Sequence, residues 1–194
     1  MNPRLAALLL IIAVIILRIG SGFADPGLSS LISGFGPFSA LVLGAALLLP
    51  NARLAWVPAA AFLLSDVILN LFVYNVSALH PFGIISAIFY AALFLLALPL
   101  SRRTSLNLPF LGATVFAVIA FHQIANTMSW LIEPAYAKSL AGFIQAQTTG
   151  LPGFPPSWVF LLKSLAGNLV FSILFLVALA PVRQPATSLA PARA

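Results

Sequence analysis

The chain has 194 residues, of which 62% are hydrophobic and only 6% charged, a balance with which a soluble domain of this length could not cover itself. Cysteine is absent, which excludes a disulfide framework, thiolate catalysis and iron–sulfur ligation. The net charge of +6 reads as a determinant of membrane orientation, and no nucleic-acid partner is expected.

Apolar blocks of about 20 residues, the length that crosses hydrocarbon, recur along the chain. They predict six spans, at roughly 5–20, 37–49, 54–74, 80–100, 108–132 and 157–181. The spans are predicted to be helices, because lipid leaves no partner for open strand edges and the blocks lack a period-two pattern. The expected fold is all-α, a polytopic membrane helical bundle forming one domain over 1–181. A Pro/Ala-rich tail over 182–194 is expected to be disordered.

The first block, led by Arg4 and followed by Gly22-Phe23-Ala24, also has the outline of a cleavable signal segment over 1–24, with Arg18 interrupting it. The second span is short, and residues 28–35 are expected to fold back beside it. Gly36, Ala40 and Gly44 repeat every four residues there, giving a small face for close packing within the bundle. Ala87 with Ala91 and Ala113 with Ala117 are weaker versions. Gly36-Pro37, Pro50-Asn51, His80-Pro81, Ser101-Arg102-Arg103 and the Pro/Gly run at 152–156 break the spans. In the long connection 133–156, Tyr136, Leu140, Phe143 and Ile144 recur at helical spacing opposite Lys138 and Gln145. They predict a short interfacial helix ended by Gly150.

With a cytoplasmic N-terminus, Arg4, Arg53, Arg102, Arg103, Arg183 and Arg193 fall inside, while Arg18 and Lys138 fall outside and Lys163 lies in the last span. The bias places both termini in the cytoplasm of a multi-pass protein of a bacterial inner membrane.

Asp66 stands in the apolar run "LLSDVILN" although the chain has only three acidic residues. A charge in the membrane core costs several kcal/mol unless paired or hydrated, so such residues face a bundle interior or an aqueous cavity. Asp66 lies about 12 Å from the outer end of its span and Lys163 about 9 Å, which makes them each other's expected partner. Asn70 is one turn outward from Asp66. His122 and Asn126 are four apart, with Trp130 one turn beyond, and Asn168 follows Lys163 by five. Trp158 lies near the same interface. Asp66, Asn70, His122, Asn126, Lys163, Asn168, Trp130 and Trp158 are therefore the candidate substrate-binding residues, converging on the outer half of the bilayer as a pocket opening outward. Each has a plain structural reading: an ion pair, helix glue, an interior histidine, belt tryptophans.

Two histidines without His-x-x-x-His or Glu-x-x-His give no metal site, and no Walker or dinucleotide motif is present. No cofactor is expected, and no catalytic constellation is legible, so the chain is read as a non-enzyme. Ser21, between glycines in "RIGSGF", has no readable general base.

"GFGPFSALVLGAALLLPNARLAWVPAAAFLLSDVILN", with its Pro-led short helix and Ser65-Asp66 pair, and "PGFPPSWVFLLKSLAGNLVFS" resemble a group of uncharacterised bacterial membrane proteins classed as transport proteins. These are similar to the substrate-binding S components of energy-coupling factor vitamin transporters. The resemblance implies a six-helix S-component-like bundle, a small-molecule site near the outer face, and a separate ATPase and coupling module as partner. The first helix lacks the alanines four apart that S components use to dock their coupling subunit; Ala6, Ala7 and Ala13 stand there instead. The leading expectation is a small-molecule-binding component of a transporter, with the lipid bilayer and a metabolite-like ligand as partners. Two alternatives use the same polar layer: a stand-alone ion-coupled carrier in which Asp66 or His122 changes protonation, and a structural or assembly subunit of a larger membrane complex.

Overall fold

The computed structural model describes residues 3–24, 36–48, 56–100 and 107–183. The regular elements among them are helical, with no strand. They are α1 (Pro3–Phe23), α2 (Phe38–Leu48), α3 (Val57–Phe72), α4 (Pro81–Ala97), α5 (Asn107–Ile132), α6 (Leu140–Gln147) and α7 (Ser157–Arg183). Each predicted span holds one helix, and the all-helical expectation stands. The residues expected to fold back at 28–35, and those of the tail from 184 onward, lie outside the described residues.

Local chemistry sets the helix ends. Pro58 occupies the first turn of α3 and Pro81 that of α4, where a missing N–H costs nothing. His80 caps α4, its Nδ1 accepting from the Phe82 N–H at 3.4 Å. After Ala97, α4 tightens into a 3-10 turn over Leu98–Leu100, where Pro99 supplies no donor for a further α-helical bond. α1 runs past its predicted end to Phe23. Ser21 Oγ donates to the Arg18 carbonyl at 2.8 Å, so the hydroxyl is satisfied within the helix. Gly22 lets α1 approach α3, since a Cβ there would sit 2.3 Å from a methyl of Leu69.

The packing is a ring around a centre. α1 packs on α3, α3 on α4, α4 on α5, α5 on α7, and α7 back on α1. α2 lies inside and touches α3, α4, α5 and α7. Its residues from Pro37 to Leu47 are all buried, as expected of a helix that is apolar all round. Eleven residues rise only about 16 Å, which suffices for a central peg. The small face of the second span is used internally: a Cβ on Gly44 would meet the ring of Phe175 on α7 at 3.0 Å.

The two ends of the bundle differ. At one end Phe110, Phe175, Leu43, Leu47 and Ala97 fill the interior. The buried hydroxyls of Thr114 and Ser172 bond to each other there at 3.3 Å. The opposite end holds the polar groups described below. α6 lies at this end, between α5 and α7 in the chain. It begins later than the periodicity predicts, because Ser139 adopts an extended cap and accepts from the Gly142 N–H. Tyr136 is consequently buried in the preceding loop rather than on the helix. Gly150, at φ +70°, turns the chain after α6 and donates to the Gln145 carbonyl at 2.8 Å.

Large apolar side chains, among them Ile16, Leu64, Phe72, Ile88, Leu96 and Phe116, stand exposed on the outside of the ring. Two helices, Leu108–Ile132 and Ser157–Val177, are long and apolar enough to cross a membrane. Leu8–Phe23, Phe38–Leu47, Val57–Phe72 and Pro81–Ala97 are shorter apolar helices.

Candidate functional site: a cavity at one end of the bundle

Ile11, Val14 and Arg18 recur at helical spacing on one face of α1, and the first two are only 2% exposed. Arg18 follows them inward. Its Nη2 donates to Asp66 Oδ1 on α3 at 2.7 Å, forming a salt bridge. The guanidinium lies 4.6 Å from the ring centroid of Phe62 and 5.1 Å from that of Phe38, so the cation also meets two aromatic faces. α1 carries Arg18 into the bundle, and one expectation is corrected here. Asp66 pairs with Arg18 rather than with Lys163, because α1 stands between α3 and α7 in the ring. Lys163, half-buried on α7, does not border the cavity.

Asp66 needs room, and Gly83 on α4 supplies it: a Cβ there would lie 2.6 Å from Asp66 Oδ2. Asn70 is buried one turn along α3, and its Nδ2 has no hydrogen-bond partner among the described residues.

The wall beyond the ion pair is aromatic. Tyr90 on α4 packs on Phe62 at 4.6 Å and on Phe121 of α5 at 5.4 Å between ring centroids, and Phe62 meets Phe38 edge-on at 4.7 Å. The Tyr90 phenol shares a hydrogen bond with Ser39 on α2, so its polar tip is not wasted in an apolar cluster. These side chains line a partly open cavity of about 400 Å³. Arg18, Asp66, Phe38, Phe62 and Tyr90 line one side, together with Phe82 and Ser86 of α4. Phe121, His122, Ala125 and Asn126 of α5, with Phe160 and Ser164 of α7, line the other. Thus α1, α2, α3, α4, α5 and α7 all contribute.

On α5, Asn126 Nδ2 donates to the His122 carbonyl at 3.0 Å and lies 3.0 Å from His122 Nε2. The amide nitrogen is therefore used within its own helix.

Of the eight predicted site residues, Asp66, His122 and Asn126 border the cavity, while Asn70, Lys163, Asn168, Trp130 and Trp158 do not. Asn168 is 1% exposed and saturated: its Oδ1 accepts from the Ala40 N–H at 2.8 Å, and its Nδ2 donates to the carbonyls of Ser164 at 2.8 Å and Gly36 at 3.2 Å. It holds the start of α2 against α7. Trp130 Nε1 donates to the Ala137 carbonyl at 2.9 Å, and Lys138 Nζ bonds the Trp130 and Glu133 carbonyls, so these residues pin the loop after α5. Trp158 is half exposed on α7.

Sequence reasoning missed Arg18 and the aromatic wall. The Ile11, Val14, Arg18 spacing carried the signal for the first. Six rings dispersed over five helices left none for the second. Among the described residues no group of three His, Asp or Glu side chains is placed to hold a metal ion.

A model built for a family of unknown function, DUF6580, matches residues 1–189. The chain belongs to DUF6580. The match spans every residue of the cavity of this DUF6580 member. No curated protein and no solved structure matches the chain.

Proposed function

We propose that the chain is an integral membrane protein of six spans whose cavity captures a small molecule for transport. The observation that carries this reading is a partly open cavity of about 400 Å³, built by six helices at one end of the bundle, while Phe110, Phe175, Leu43, Leu47 and Ala97 fill the interior towards the other end. That volume falls in the range of small-molecule sites, and its mix of aromatic walls with a few polar groups is what such sites use.

The membrane setting rests on the inverted distribution of polarity. The ion pair is inside and the large apolar side chains are outside. In the two longest apolar helices only 28% and 22% of the most apolar window is buried, unlike the core helix of a soluble protein. With Arg18 inside the bundle, Lys138 is the one basic residue left for the outer loops, against Arg4, Arg53, Arg102, Arg103, Arg183 and Arg193 for the inner side. The cavity then opens outward and both termini are cytoplasmic. The resemblance to S components points the same way, and energy comes from a separate ATPase module.

Two measurements test the reading. Protein purified in mild detergent and then denatured should release a small molecule identifiable by mass spectrometry. In whole cells, single cysteines at Thr149 and Ser101 should react with a membrane-impermeant reagent from opposite sides. Labelling of both from outside would overturn the topology. Empty protein that also binds no metabolite in a broad screen would overturn the capture role.

A further inference from the structure

Resting on that capture reading, we propose that the ligand is a planar aromatic or heteroaromatic compound of one or two rings that carries no net charge. The argument begins with charge. The described lining contains one cation, Arg18, and one anion, Asp66, joined at 2.7 Å. Ser86, Tyr90, Asn126 and Ser164 are neutral, and with His122 neutral the wall sums to zero. An anionic ligand entering this space meets a guanidinium already compensated by a carboxylate, and a cationic ligand meets the reverse. Either adds a net charge to a cleft with apolar aromatic walls whose own two charges already balance each other, which is unfavourable.

The second observation is the wall itself. Phe38, Phe62, Phe82, Tyr90, Phe121 and Phe160 face one space. Rings stack or meet edge-on with other rings, so this surface favours a flat π-system over an aliphatic chain of equal size. The volume of about 400 Å³ is that of roughly thirteen water molecules in the liquid, which admits one or two rings with small substituents.

The third observation is unused hydrogen-bonding capacity. A guanidinium has five N–H donors, and one of Arg18's is engaged on Asp66. Asn126 spends its amide nitrogen on His122, while its Oδ1 has no partner among the described residues. The lining therefore offers donors at Arg18 and an acceptor at Asn126. These suit a ring that bears both a carbonyl and an N–H. A self-satisfied structural cluster would leave neither.

Matched probes test the class. Benzamide, benzoate, benzylammonium and cyclohexanecarboxamide, with 2-naphthamide and 2-naphthoate as two-ring members, are titrated into wild-type protein in lipid nanodiscs and followed by ligand-observed NMR. The aromatic amides should bind at least about tenfold tighter than their carboxylates, than the ammonium and than the saturated amide. Asp66→Asn, which leaves Arg18 uncompensated, should move the amide-to-carboxylate ratio at least about tenfold toward the carboxylate. Tightest binding of benzoate, benzylammonium or cyclohexanecarboxamide by the wild type would overturn the ligand class while leaving capture intact. Absence of binding by every probe, with no molecule released on denaturation, would overturn both. If Asp66→Asn does not fold, the wild-type ranking alone decides.

Discussion

Arg18 and Asp66 make the sharpest test of the interior, because the structure joins them in a salt bridge. Their side chains are 25% and 18% exposed, so both charges are largely withdrawn from water, and the N···O distance is 2.7 Å. Removing one partner of a buried pair costs about 3–5 kcal/mol, and partial exposure puts Asp66→Asn near the low end, at about 3. Arg18→Met loses the contacts with Phe38 and Phe62 as well, each worth about 0.5–2 kcal/mol, so it should cost about 4 or more. Arg18→Met with Asp66→Asn removes both charges through the same two substitutions. The double variant should cost about 2 kcal/mol, less than either single change, which against a sum of about 7 for the two singles is a coupling energy of about 5 kcal/mol. Unfolding in mixed micelles with increasing denaturing detergent gives each free energy. As a control, Asp66→Asn with Lys163→Met should be additive within about 0.5 kcal/mol. Additivity for Arg18 with Asp66, or strong coupling of Asp66 to Lys163, refutes the pairing.

Three further outcomes follow from single residues. Asn168→Leu should destabilise by about 2–4 kcal/mol in the same assay, because it strips the Ala40 N–H of its buried acceptor; a loss below about 0.5 kcal/mol would show that α2 is not anchored there. Gly83→Ala should cost about 1–3 kcal/mol by forcing the Asp66 carboxylate aside. On an Asp66→Ala background that cost should largely vanish, and an unchanged cost would place the clash elsewhere. Gly142→Ala puts a Cβ 2.0 Å from the Ala137 carbonyl oxygen, a backbone atom that cannot step away. Limited proteolysis should then cut the 133–156 connection faster than in the wild type, with the rest of the chain unaffected.

The helices were legible in the sequence because apolar blocks and Pro/Gly breaks are local signals, and both prolines that open α3 and α4 mark real starts. That Asp66, His122 and Asn126 lie at one level of the bundle was legible too, since a helix converts sequence distance into rise. Ring order was not. Asp66 and Lys163 shared a predicted layer, but depth says nothing about azimuth, and α1 stands between their helices. Arg18 was read only as an orientation charge on the outer side, because basic residues near a span end normally act as that. Its position in register with Ile11 and Val14 was the overlooked evidence. Asn168 looked like a ligand contact because residue type alone cannot reveal that the Ala40 N–H already claims it.

α2 carries a consequence for biosynthesis. It leaves the ribosome early, yet the side chain that clamps its first turn arrives 128 residues later, on the last helix. Until then the peg has neither its wall of α5 and α7 nor a partner for the Ala40 amide, so nascent chains lacking α7 should be held by insertion or quality-control factors rather than folding step by step. Chains truncated just before Ser157 and pulse-labelled should therefore be degraded much faster than full-length protein. Co-expression of α7 as a separate fragment should restore their half-life, because what they lack is the closing piece of a circle and not a length of tail.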